Sequence, residues 1–136
     1  MATRTTQFVS TPSFVADPAS VARSTGRQVD WANVDSSFAG SDGKKVIPAG
    51  HRVYETTEGK IIPKQTAAQE PLLGLIETNA TEGDKSAALS GYGVIIGGVV
   101  YKELLPETLD STAQAELAAV GTGFAFETYS DSRAGS

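Results

Sequence analysis

Turn-forming glycine and proline recur along this chain about every ten residues, and that spacing limits what it can fold into. The 136 residues include 14 Gly and 6 Pro. Between these breaks lie short runs rich in β-branched and aromatic residues. They are Val46-Ile47, Arg52-Val53-Tyr54-Glu55, Lys60-Ile61-Ile62-Pro63, Leu72 to Glu77, Ala87 to Ile95, Val99 to Leu104 and Gly123 to Tyr129. Each is too short for a stable helix and suits a strand. Ser41-Asp42-Gly43 and Glu58-Gly59 read as turns, and so does Pro48-Ala49-Gly50 with Pro second and Gly fourth. Gly97-Gly98 between two β-type runs predicts a hairpin. Val29 to Val34 partly alternates and reads as an edge strand.

One segment breaks the pattern. Asp110 to Val120 is rich in Ala, Gln, Glu and Leu, has Asp110 or Ser111 as a cap and Gly121 as a stop, and predicts one short helix. The expected fold is therefore mainly β, a small barrel or sandwich over residues 29–129, with a short C-terminal helix. Residues 130–136 read as a frayed tail.

Residues 1–28 are rich in Ser, Thr, Ala, Pro and Arg, with Phe8, Val9, Phe14, Val15 and Val21 as scattered apolar groups. No period of 2 or 3.6 is sustained, so this segment cannot fold alone and reads as an extended arm. Arg4, Arg23 and Arg27 face only Asp17 there. Three dispersed arginines are too few for a phosphate footprint, but they suit an acidic protein surface with Phe8 and Phe14 as apolar anchors. Val29 and Trp31 extend this set, because an arm can add a strand to another protein's sheet.

Charge divides the chain unequally. Residues 1–64 hold eight Lys/Arg and six Asp/Glu, a net of +2; residues 65–136 hold three and ten, a net of −7. The total of −5 argues against a general nucleic-acid binder. Zero Cys removes disulfides, Cys zinc sites and a thiol nucleophile, and the lone His51 makes a triad or multi-His metal site untenable. Gly91-x-Gly93-x-x-x-Gly97 lies inside β-type sequence and lacks the helix that a dinucleotide loop opens. Gly43-Lys44-Lys45 is no P-loop. Glu77, Glu82 and Asp84 do not fit a calcium loop, and Glu103 with Glu107 is a carboxylate pair of the kind any acidic chain contains. The sequence thus presents no catalytic set, cofactor motif or metal set. The longest apolar run, Val94 to Tyr101, is too short to cross a membrane as a helix. Arg4 precedes no apolar leader segment, so a cytosolic product is expected.

The order of the pieces carries a resemblance. Val46-Ile47-Pro48-Ala49-Gly50, Gly59-Lys60-Ile61-Ile62-Pro63, Pro71 to Glu77, Ser86 to Leu89, Gly98 to Tyr101 and Leu104-Leu105-Pro106 resemble successive segments of tailed-bacteriophage head decoration, or capsid cement, proteins of the lambda head decoration protein D family. The resemblance covers roughly half the chain. It implies a small β-tulip-like fold and a structural virion protein, made in the host bacterial cytoplasm, that sits as a homotrimer on the outer capsid surface at three-fold or quasi-three-fold sites. The major capsid protein is the implied partner, with room for a second cement protein. Enzymatic activity, cofactors, nucleic acid and membrane are not implied. The arm here is longer than in the short form of the family. The continuous apolar run Val94, Ile95, Ile96, Val99, Val100 and Tyr101 is the expected trimer interface, since it exceeds what one sheet face needs; a core strand alone would also explain it. A glycan-binding module of a phage tail or fibre is the competing expectation. It would need an exposed platform from Trp31, Tyr54, Tyr92 and Tyr101.

Overall fold

The computed structural model describes residues 14–65, 71–84 and 91–129. Eight strands and one helix follow in order: β1 (Ala22–Arg23), β2 (Val46–Ile47), β3 (Arg52–Glu55), β4 (Ile61–Pro63), β5 (Leu72–Ile76), β6 (Ala80–Thr81), β7 (Val94–Tyr101), α1 (Ser111–Ala118) and β8 (Gly123–Glu127). The protein is mainly β, with its helix near the C-terminus, as the punctuation predicts. The main sheet runs β1-β7-β5-β3-β4, β8 joins β7 in parallel, and β2 and β6 form a separate ribbon. The sheet does not close, so the barrel option falls.

β7 organises the molecule. Its first residues pair with β5, through Leu75 opposite Ile95 and Ile76 opposite Val94. Its last residues pair with β8, from Gly97 opposite Gly123 to Tyr101 opposite Glu127. The other flank takes the N-terminal segment: Arg23 lies opposite Ile95, Ala22 opposite Gly97 and Val15 opposite Val100.

Two apolar clusters form the core, and neighbouring residues of one strand divide between them. Ile76 and Val94 join Val29, Val34, Ile47, Val53, Tyr54, Ile61 and Tyr92. Leu75 and Ile95 join Phe14, Val100, Leu105, Leu109, Leu117 and Phe124. Alternate residues of a strand point to opposite faces, so β5 and β7 are covered on both. Fully burying one such side chain contributes roughly 1.5–3 kcal/mol.

The Gly97-Gly98 hairpin is not formed. β7 runs unbroken through both glycines, and Tyr92 and Tyr101 lie at opposite ends of one stretch instead of facing across a turn. Close approach is the reason for the glycines. A Cβ on Gly97 would stand 1.8 Å from Thr122 Oγ1, and one on Gly98 would stand 3.1 Å from the Val21 Cα. Gly98 also has φ +137°, a region that side chains rarely adopt. Ile95 and Val100 are five apart yet share a cluster, which strict alternation forbids; the register shift opposite Ala22 and Arg23, which leaves Ile96 as an extra residue, resets the phase.

Two further expectations change. Val29 to Val34 is not a strand: Val29 alone bridges Ile61, and Trp31–Asn33 is a single 3-10 turn. Asn33 closes it locally, with its side-chain amide donating to Asp30 at 2.7 Å, a competition that Asp and Asn offer to extended backbone. In the Pro48 turn, His51 N–H donates to the Pro48 carbonyl at 3.1 Å, so Pro48 is first and Gly50 third. Gly50, at φ +87°, meets the positive φ that a type II turn demands there.

The helix forms as its ends predict. Asp110 accepts from the Ala113 N–H at 2.8 Å, and Ala113 and Leu117 face the core. The turns at Gly43 and Gly59 also stand, each glycine at φ +81°. Among the described residues no helix is long and apolar enough to cross a membrane.

Candidate interaction surface

The segment expected to be an extended, capsid-docking arm over residues 1–28 is, from Phe14 onward, a strap sewn along β7 of its own chain. Tyr101 N–H donates to the Phe14 carbonyl at 2.8 Å, and Ala16 N–H to the Val99 carbonyl at 2.9 Å. Ser20 Oγ accepts from Val99 N–H at 3.0 Å, replacing a backbone acceptor beside the glycine pair. Ser24 N–H donates to Val94, and Arg27 and Tyr92 exchange backbone bonds in both directions. Phe14 is buried between Leu105, Pro106 and Gly50. Val15 is half-buried and bridges Val100.

Side-chain charges complete the seam. Arg23 Nε donates to both Glu77 oxygens at 3.0 and 2.9 Å, a fork pairing. The Glu77 carboxylate raises the Arg23 pKa further, chiefly by accepting that bond. Arg27 pairs with Glu55 and donates to the Gly59 carbonyl at 3.0 Å. Two of the three arginines expected to meet a partner, Arg23 and Arg27, are therefore bonded within the chain. Val29 is buried; Trp31 is half-buried, and Lys45 Nζ donates to its carbonyl at 3.0 Å. Arg4, Phe8 and Val9 lie outside the described residues.

The expected trimer residues divide sharply. Val94, Ile95 and Val100 are 0% exposed within one chain and have no surface to offer a sister copy. Ile96, Val99 and Tyr101 are half-buried and keep some surface. The apolar run is thus accounted for by burial on both faces of one subunit. Tyr101 meets Tyr129 edge to face, with ring centres 5.2 Å apart.

Sequence reading missed the densest polar cluster, which lies where β3 meets the loop before α1. Arg52 bonds Glu107 three times: backbone N–H at 3.1 Å, Nε at 3.0 Å and Nη2 at 2.9 Å. His51 Nε2 lies 3.8 Å from Glu107, its Nδ1 is 3.0 Å from the Arg52 carbonyl, and Phe38 meets its ring edge to face. Tyr54 donates to Glu116 at 3.2 Å. Burial pushes the Tyr54 hydroxyl up to about 12, helped by the charge on Glu116. Burial also raises Glu107, but the bonds from Arg52 outweigh it and leave the carboxyl below its usual value. Burial lowers Arg52, and the bonds to Glu107 more than restore it. Tyr54, Glu107 and Arg52 all move away from neutrality, which fixes their protonation states near pH 7. The cluster is built as a lock between β3 and the helix.

Beside it, Arg52, Lys64, Thr108, Asp110, Thr112 and Glu116 line an open cavity of about 630 Å³. Two cations and two carboxylates balance there, which gives no pull on a charged ligand. Three other carboxylates serve separate partners. Glu82 accepts from Lys45 N–H, Asp84 from the Tyr92 hydroxyl and Glu103 from Tyr129 N–H. Among the described residues no His, Asp and Glu side chains gather in a group able to hold a metal ion. No protein-family model and no curated protein matches the chain.

Proposed function

We propose that this chain is a structural protein of the phage virion, a capsid cement protein that binds the outer shell surface and ties neighbouring major capsid protein subunits together. One observation supports the reading above others: the described segments that carry the family resemblance fold in sequence order into one body. Val46 to Gly50 form β2 and its type II turn, and Gly59 to Pro63 form β4 and the hairpin before it. Pro71 to Glu77 contain β5, and Gly98 to Tyr101 the second half of β7. A small, disulfide-free body suits a ligand that stabilises a mature shell by binding only that state. Three copies at a three-fold position multiply weak contacts. Ile96, Val99 and Tyr101 are the members of the apolar run with surface left for a sister copy. The glycan-binding alternative loses half its platform, because Tyr54 and Tyr92 are buried at 4% and 8% exposure.

The strap alters how the proposal is tested. Cutting at residue 28 would strip strands from the body, so the truncation must stop at residue 13. Intact protein should co-sediment with expanded capsids and give density at three-fold positions by cryo-electron microscopy. The protein lacking residues 1–13 should fold and not bind. Failure of the intact protein to bind any expanded capsid of its phage would overturn the proposal.

A further inference from the structure

β8 carries an open edge. Its one strand partner among the described residues is β7, and no described backbone group bonds its outer side. Natural edges are blunted by proline, lysine, bulges or a covering loop. β8 reads Gly123-Phe124-Ala125-Phe126-Glu127 and has none of these within it. Its one charge, Glu127, is exposed and joins no ion pair among the described residues.

We propose that this edge takes the N-terminal segment of a second copy of the chain as an added strand. Thr3 to Thr11 holds four Thr, Phe8 and Val9, with no Gly or Pro, a composition suited to a strand. Its one charge, Arg4, is opposite in sign to Glu127. An antiparallel register that sets Arg4 beside Glu127 sets Thr6 beside Ala125 and Phe8 beside Gly123, where a ring covers the bare backbone of an edge glycine. Main-chain bonds supply the affinity in this mode and side chains the register.

The donor is a second copy because of where the segment leaves the body. Val100 pairs with Val15 on one flank and with Phe126 on the other, so Phe14 and β8 lie on opposite sides of β7. Passage from one side to the other runs over the end of β7. There the Tyr101 and Tyr129 rings meet and Glu103 accepts from Tyr129 N–H at 2.9 Å.

Amide hydrogen exchange on the isolated full chain tests this without a capsid, so its result is independent of the cement reading. Amides of residues 123–127 should exchange at least about tenfold more slowly in concentrated intact protein than in the variant lacking residues 1–13, and dilution should erase the difference. Phe8→Lys in the full chain should act like the deletion, which covers the case in which the truncated protein fails to fold. Mixing Thr6→Cys protein with Ala125→Cys protein, in a chain that has no other cysteine, should give the mixed disulfide. Equal exchange in intact and variant protein overturns the proposal. Protection that survives dilution, with the Thr6→Cys/Ala125→Cys double variant closing only within one chain, overturns it in favour of the chain's own segment.

Discussion

The strap over residues 14–28 and the loop before α1 are both tied to the sheet by arginine–glutamate forks, on opposite terms. In the strap, Arg23 is 52% exposed and Glu77 32%. In the loop, Arg52 is 12% exposed and Glu107 17%. Water screens the first pair and competes for its hydrogen bonds, so its worth is small. The second pair is largely withdrawn from water, and Glu107 holds Arg52 by three hydrogen bonds with Glu116 as a more distant second partner at 3.7 Å. The strap is therefore held by its backbone ladder and Phe14, while the loop and helix are held by a charge pair that fails if halved.

Substitutions can break this contrast. The largest effect should come from Glu107→Ala, which removes three hydrogen bonds from the half-buried Arg52, leaves it only Glu116 at 3.7 Å and should cost about 3 kcal/mol in urea unfolding. Glu107→Gln keeps the shape and should cost less.

Acid provides a second test. Glu107 titrates lower in the folded chain than in the unfolded one. Between those two values the unfolded chain binds the extra proton, so stability falls with falling pH. The contribution is complete above the ordinary carboxylate range and is lost as pH drops through the depressed folded value. Unfolding midpoints measured from neutral pH downward should show this slope, and Glu107→Gln should flatten it.

The strap variants should rank below. Arg27→Ala removes bonds to Glu55 and the Gly59 carbonyl and should cost about 2 kcal/mol. Arg23→Ala should barely move the urea midpoint, and high salt should remove any residue of the effect. If Arg23→Ala proves as damaging as Glu107→Ala, the contrast is wrong.

This difference also marks what the sequence made legible. Turn chemistry is local, so Gly43, Gly59 and the Asp110 cap could be read directly, as could the helix and β5. The glycine pair could not. Gly97-Gly98 has the composition of a hairpin, and only Thr122 and Val21, brought in from distant parts of the chain, make it the middle of a strand. Trp31 sits in alternating sequence, but Asp30 and Asn33 bond each other first. The Arg52–Glu107 lock was hidden for the same reason: 55 residues separate its partners, and no spacing rule joins them. Arg23 and Arg27 were visible as charges but not as spent charges, since Glu55 ends β3 and Glu77 follows β5, and the neighbours of both strands are set by topology.

Val100, paired with Val15 on one side and Phe126 on the other, has a consequence for synthesis. The strap residues must wait some eighty residues for β7, and the second half of β7 gains its other neighbour only once residues 123–127 have emerged. Such distant pairings fold slowly, because loop closure is paid before contacts reward it. The nascent chain thus carries its strap unpaired until β7 has been made, and the flank of β7 that faces β8 is covered later still.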